Sequence, residues 1–439
     1  MSSSSTKAGV VSFKEARRIV EEHSTKVLAT CRGSNRTEAL DLLAARARIL
    51  AEDIVADRDF PPFPRATRDG YAVRAVDVEN VPAQLAIVGE IKAGDSPDGS
   101  GESIAVNRGQ AVSIMTGGVL PPGADAVVMV EYTKTIGTEV EIQRSVKSGE
   151  NFVPRGAEAH AGQVLTERGR RLDHDLIALA AAIGKARVNI FRKPHVAVLA
   201  TGDEIVEIKA TPGPAQIRNS NTYSLAAQIE EAGAEPVLLP IAPDEPARLR
   251  ELIEEGLTCD LLLITGGVSM GKYDLVEQVL NELNAEFFFT GAQIQPGKPI
   301  VFGSCGADTP VRAAGSTAVD TQKIMAVPHY FFGLPGNPVS TMVTFRLFVQ
   351  PIIAALAGAC GESLVFLKVR LKSEVRTKTG LTRFLPAVIS GEFENAEVEL
   401  AAWQGSGDIA ALARANCYLV IPPDRERIDA GEWVSVLIG

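Results

Sequence analysis

Five segments of this 439-residue chain combine flexible backbone with groups that could do chemistry. Gly266-Gly267-Val268-Ser269-Met270-Gly271-Lys272-Tyr273-Asp274 gathers three glycines, a hydroxyl, a cation and a carboxylate. Its backbone N–H groups could cradle a phosphate, with Asp274 beside a divalent ion. The string is neither GxGxxG nor a Walker loop, so its spacing alone has low specificity. Thr201-Gly202-Asp203-Glu204 puts two carboxylates on a turn, which suits metal or hydroxyl binding and equally suits simple capping by Asp203 with Glu204 in solvent. Gln295-Pro296-Gly297-Lys298-Pro299 and Gly333-Leu334-Pro335-Gly336-Asn337-Pro338-Val339-Ser340 together offer a point charge at Lys298 and a helix start at Asn337, both favourable to an anion. The remaining two are Pro61-Pro62-Phe63-Pro64-Arg65-Ala66-Thr67-Arg68-Asp69-Gly70-Tyr71-Ala72 and Met115-Thr116-Gly117-Gly118 with Leu120-Pro121-Pro122-Gly123-Ala124-Asp125. From spacing alone these read as turns between extended runs.

Other chemistries lack their residues. The histidines (His23, His160, His174, His195, His329) show no HxH or HExxH spacing, which argues against a zinc hydrolase. Cys259 precedes an apolar run with no nearby His, so a cysteine nucleophile has no support. Five scattered cysteines without a CxxC pair point to a reducing cytoplasm. With 44 Lys+Arg against 54 Asp+Glu the net charge is −10, and aromatics make up 5%, so nucleic acid is not an expected partner. An anionic ligand must be held by local groups working against the overall field. No uninterrupted run of about 18 apolar residues occurs, so no membrane-spanning helix is expected, and the Ser-rich start lacks the order of a secretory signal.

The elements that must position these groups follow from periodicity. Residues 195–200 and 260–265 are apolar runs suited to strands buried on both faces. Between and after them, helices are expected over 222–232, 246–256 and from about 273 to 283, with a strand over 236–241. This alternation predicts a parallel α/β sheet whose ligands sit beyond the strand carboxyl ends. Asn337 as N-cap and Pro338 at the first helical position open an apolar helix to about residue 356. Upstream, a capping box at Ser12–Glu15 opens a helix to about residue 23, and further helices are expected over 37–53 and 172–183. Short β-branched runs such as 84–88 and 126–130 predict a β-rich insert. Residues 304–328 read as a surface loop. Runs at 364–371, 383–389, 397–403, 417–421 and 433–437 predict a small C-terminal β-barrel or sandwich. The expected division is a disordered tail over 1–10, a discontinuous helical domain over 11–56 and 146–188, a β insert over 57–145, an α/β domain over 189–360 and the β domain over 361–439.

In this order, Asp69-Gly70-Tyr71-Ala72, Met115-Thr116-Gly117, Thr201-Gly202-Asp203-Glu204, Gly266-Gly267-Val268-Ser269-Met270-Gly271, Pro296-Gly297-Lys298-Pro299, Gly333 to Ser340 and Gln404-Gly405-Ser406-Gly407 resemble the molybdopterin molybdenumtransferase family, which includes bacterial MoeA and the gephyrin and plant Cnx1 E domains. The resemblance runs from about Val11 to the end and implies an α/β multi-domain fold: a MogA-like parallel α/β domain, a discontinuous helical domain, a β-rich insert and a C-terminal β-barrel. It implies a homodimer with a shared active site, and an enzyme that takes adenylylated molybdopterin and molybdate and, with Mg²⁺, releases AMP and molybdenum cofactor. By the same resemblance Asp69 and Thr116 reach the site from the partner subunit, and Glu204, Asp244 and Asp274 are its acidic residues, with Asp274 and Glu204 the metal candidates. Gly267 and Ser269 line the phosphate loop, Lys298 neutralises charge, Pro335 and Pro338 shape the nearby turn, and Ser406 marks the barrel edge. A MogA-type adenylyltransferase and molybdoenzyme chaperones are implied as partners.

The match has departures. The usual Asn-Ser-Ala-Met before the Asp-Gly is Arg65-Ala66-Thr67-Arg68, Gln295 stands where Lys is frequent, and Pro386 where an Arg is frequent, with Arg383 nearby. Two other functions fit the same resemblance: a MogA-like adenylyltransferase and a gephyrin-type dimeric scaffold. The additional domains argue against the first, and retention of Glu204, Asp244 and Asp274 argues against the second. Molybdate and tungstate are not distinguished.

Overall fold

A strand apolar at every position is stable only where both faces are covered. The computed structural model, which describes residues 9–34, 36–95, 104–267, 275–306, 329–360 and 364–438, satisfies this at Leu261–Thr265, buried throughout. That strand lies inside a six-stranded sheet in the order Glu235–Leu238, His195–Ala200, Leu261–Thr265, His329–Leu334, Val301–Cys305, Ala285–Phe289. The first four strands are parallel, and Val301–Cys305 runs antiparallel to both of its neighbours. Successive side chains alternate between faces. Val196, Val198, Leu261 and Leu263 join one core with Phe302, Phe332 and Phe348, while Ala197, Leu199, Leu262 and Ile264 join the other with Ile253 and Leu280. Register is what matters for function: Ala200 pairs with Thr265 and Thr265 with Leu334, so three strand ends stop side by side.

The chain divides into two compact units, one of Met1–Ala51, Gly169–Asp173 and Val188–Gly439, the other of Glu52–Arg168 and His174–Arg187. The sheet belongs to the first. So does a closed five-stranded barrel, in which Thr382–Ser390, Glu397–Leu400, Phe366–Leu371, Trp433–Ile438 and Cys417–Ile421 pair in a circuit that returns to Thr382–Ser390. Closure leaves no unpaired edge, and Val369, Leu385, Leu419 and Val436 fill the interior. The second unit carries a six-stranded sheet ordered Ala126–Met129, Gly70–Val73, Gln110–Ile114, Ala83–Ile91, Glu139–Ile142, Thr133–Ile136, as the β-branched runs predict. The two pieces of the expected helical domain fall in different units: Phe13–Arg32 in the first, His174–Ala182 in the second.

Several expectations need correction. Residues 37–53 are not a helix: Thr37–Asp41 is a strand, and Ile49 and Leu50 form bridges to Arg171 and Ile190. Ala47 has φ 64°, outside helical geometry, and the Ala47 and Leu50 N–H groups donate to the Leu172 and Arg170 carbonyls, so non-local pairing overrides a helix-favouring composition. The first helix continues to Arg32, past the expected end near His23. Its capping box is half made: Ser12 Oγ accepts from the Glu15 N–H, but the Glu15 carboxylate pairs with Arg18. Val10 falls within the expected tail but pairs with Gly291, as Val11 does with Ala292. Pro338–Leu356 forms one apolar helix of 19 residues with a π-helical stretch at Phe345–Val349. By length and composition it could cross a membrane, but 72% of its most apolar 18-residue window is buried inside the protein, as in a core helix. Ser304 and Cys305 complete a strand, and most of the expected 304–328 loop lies outside the described residues.

Candidate functional site

Because the strand ends are in register, the segments that follow them converge. Thr201, Glu204, Gly266, Gly267 and Pro335–Pro338 line one cleft of about 430 Å³ together with Arg218, Asn219, Ser220, Asn221 and Pro299. A second cavity of about 680 Å³ shares Pro299, Pro335 and Asn337 with it and is lined also by Gln295, Gly297, Lys298, Trp403, Gln404 and Ser406. The two are lobes of one crevice at the carboxyl edge of the sheet, where open α/β folds bind ligands.

The floor of the first lobe explains its glycines. Gly266 and Gly267 have φ 90° and 63°, and a Cβ on Gly267 would lie 2.7 Å from Thr201 Oγ1. Only glycine takes this left-handed path so close to a buried hydroxyl. Three ties hold the roof: Asn221 Nδ2 donates to the Gly336 carbonyl (2.7 Å) and Thr265 Oγ1 (3.0 Å), and Thr341 Oγ1 donates to the Pro335 carbonyl (2.5 Å). Asn337 occupies the N-cap position, but its side chain caps nothing. The Val339 N–H donates to the Ser406 carbonyl at 3.0 Å instead, fastening the barrel loop to the helix start.

Charge is divided between the lobes. Lys298 is exposed and, among the described residues, is the charged residue lining the larger lobe, whereas Glu204 and Arg218 line the smaller. Close by, the Asp244 N–H donates to Asp203 Oδ1 at 3.2 Å. Partial burial, then the charges of Asp203 and Glu204, push the Asp244 carboxyl above its ordinary range. In the second compact unit, Asp69 Oδ1 accepts from both the N–H (2.7 Å) and Oγ1 (2.8 Å) of Thr116. Those donors hold the Asp69 carboxyl below its usual range.

Of the residues singled out in the sequence, Glu204, Gly267, Lys298, Pro335, Pro338 and Ser406 therefore line one crevice. Asp244 touches its acidic turn, and Asp69 and Thr116 are brought to each other. Ser269 and Asp274 lie outside the described residues. Sequence reasoning missed Asn219, Asn221 and Trp403, and took Thr201 only as part of its turn. The Asn219-Ser220-Asn221 run was a usable signal, since such residues gather at helix starts; Trp403 carried none beyond its place beside Gln404-Gly405.

Fold and crevice define a multi-domain α/β protein with a MogA-like ligand-binding domain. Residues 11–184 match the MoeA N-terminal region (domain I and II), residues 197–355 the probable molybdopterin binding domain and residues 368–438 the MoeA C-terminal region (domain IV). A molybdopterin molybdenumtransferase of Nostoc sp. is 36% identical over 91% of this chain and 88% of its own length. One from Staphylococcus epidermidis is 31% identical over 98% and 95%. The crystal structure of the molybdopterin biosynthesis moeA protein from Pyrococcus horikoshii OT3 superposes with a TM-score of 0.74 at 28% identity, covering 98% of this chain and 100% of that one. The chain belongs to the molybdopterin molybdenumtransferase family.

Proposed function

We infer that the protein transfers molybdenum from molybdate to adenylylated molybdopterin, releasing AMP and molybdenum cofactor. The observation that carries this reading is the in-register convergence of Thr201, Glu204, Gly266, Gly267 and Pro335–Pro338 on one crevice, in a chain whose relatives bear that enzyme's name. The backbone at Gly267, with Ser269, cradles the substrate phosphate, and Lys298 neutralises anionic charge from the other lobe. Pro335 and Pro338 keep the roof turn rigid, and Ser406 bounds the barrel side. Asp69 and Thr116 act from the partner subunit of a homodimer, with Asp69 held ionised. The working divisions are 11–56 with 146–188, 57–145, 189–360 and 361–439.

Mg²⁺ fits the acidic turn. Asp203, Glu204 and Asp244 are exposed carboxylates, and partial burial followed by the charges of the other two raises the Asp244 carboxyl. Mg²⁺ keeps several waters and takes substrate phosphate oxygens, so it needs only one or two protein carboxylates. Glu204, with Asp274, would hold it, and when bound it would stabilise charge on the phosphorus during anhydride cleavage. The enzyme works in the cytoplasm, receiving its adenylylated substrate from a MogA-type adenylyltransferase and passing cofactor to molybdoenzyme chaperones.

The test is AMP release from adenylylated molybdopterin with and without molybdate, using purified protein and Mg²⁺. Molybdate-dependent AMP, with a product that activates an apo-molybdoenzyme, is expected. ATP consumption with free molybdopterin would indicate an adenylyltransferase instead, and substrate binding without AMP a scaffold.

A further inference from the structure

We propose that Trp403 is the specificity-determining platform of the larger lobe, on which the planar pterin ring of the substrate stacks. This rests on the transferase reading for the identity of the ring but on geometry for its place. Trp403 is partly buried: it packs against both the α/β core and the barrel core, and it also lines the 680 Å³ lobe. Packed against two cores of one compact unit, the indole presents its surface at little entropic cost. Its ring has no aromatic or cation–π partner among the described residues, in contrast to the other tryptophan, Trp433, which lies against Arg370 at 5.4 Å.

The rest of the lobe suits a flat, hydrogen-bonding heterocycle. Ile294, Leu381 and the rings of Pro296, Pro299 and Pro335 supply apolar surface, while Gln295, Gln404 and Ser406 bring polar groups that can meet the donor and acceptor edge of a pterin. The adenylate shares this π-character, so the two rings of the substrate compete for one platform. The smaller lobe settles the assignment in favour of pterin: its Gly266–Gly267 floor suits the phosphate, which keeps the adenylate on that side. Stacking on an aromatic side chain is worth about 1–3 kcal/mol per base, so the interaction is large enough to set affinity and has no reason to change the chemical step.

The chain's two tryptophans make the test direct. Trp433 sits on a barrel strand away from the crevice lining, so full-length Trp433→Phe protein retains its activity and leaves Trp403 as sole indole emitter. Titration with 6-hydroxymethylpterin is expected to quench that emission saturably, and AMP is expected to leave it unchanged. Quenching by AMP and not by the pterin would overturn the proposal, as would calorimetric pterin binding with unchanged Trp403 emission. In the otherwise native chain, Trp403→Ala should raise KM for adenylylated molybdopterin about tenfold with kcat within about twofold, and Trp403→Phe should restore most of it. An unchanged KM in a folded Trp403→Ala protein would overturn the proposal. The titration needs no turnover, so failure of the transferase reading, seen as absent AMP release, is distinguishable from failure of this one.

Discussion

Asn221 Nδ2 donates at once to the Gly336 carbonyl at 2.7 Å and to Thr265 Oγ1 at 3.0 Å, tying a helix start, a strand end and the roof turn of the crevice into one unit. Gly336 offers only an acceptor, which fixes the amide's orientation. Asn221→Ala should cost about 1–2 kcal/mol of stability for the lost bonds and lower kcat/KM by roughly tenfold through a loosened roof. Asn221→Asp should be at least as damaging, because a carboxylate oxygen would face the Gly336 carbonyl. Thermal denaturation beside the AMP-release assay checks both, and an Asp variant better than Ala would contradict the tie.

Gly267 and Thr201 should be coupled. A Cβ on Gly267 would lie 2.7 Å from Thr201 Oγ1 and 3.0 Å from Val276 Cγ2, at φ 63°. Gly267→Ala should destabilise by about 1–2 kcal/mol from backbone conformation alone, with the close contact adding to it. Thr201→Ala removes the nearer atom, so the double variant should recover the contact part and keep the conformational part. A double-mutant cycle on denaturant midpoints measures this coupling; strict additivity would show that the loop relaxes away from Thr201.

Among the described residues, Lys298 is the charged residue lining the larger lobe in a chain of net charge −10. Lys298→Ala should raise KM for the anionic substrate by about tenfold, corresponding to ~1.4 kcal/mol for a solvent-exposed pair. Because salt screens exposed charges within about 10 Å at 0.1 M, wild-type KM should climb with ionic strength more steeply than that of the variant. Parallel salt dependences would place Lys298 outside substrate contact.

The α/β core was legible because burial on both faces leaves an unmistakable mark: 195–200 and 260–265 read as strands and form His195–Ala200 and Leu261–Thr265. Pro246–Gly256 matches the expected helix at both ends, since Pro marks its first turn. The failure at 37–53 has a physical source. Ala and Leu at helical spacing report local preference, whereas the bridges of Ile49 and Leu50 to Arg171 and Ile190 are made by residues more than a hundred positions away. In the site, Gly267 and Lys298 were legible from residue type. The roles of Thr201 and Asn221 were not, because they lie in what the side chains support: one beneath a glycine turn, the other across a strand end.

Asp69 is exposed, yet two donors from Thr116 keep its carboxyl below the ordinary value of 3.8. A depressed carboxylate pKa means that the interaction stabilises the folded state above the unfolded pKa and is lost as pH falls through the folded value. The Thr116 N–H is the larger cause and survives any side-chain change; the Oγ1 contribution does not. Thr116→Val should therefore raise the Asp69 pKa part of the way towards its ordinary value. With Asp69 required in ionised form, the acid limb of the pH–rate profile should move up in parallel. Carboxyl-carbon NMR titration of wild type and variant, beside the pH dependence of AMP release, gives both quantities. A pKa that rises while the acid limb stays fixed would show that the ionisation limiting turnover belongs to another group. A pKa that does not move would show that the Thr116 hydroxyl contributes nothing to holding the charge.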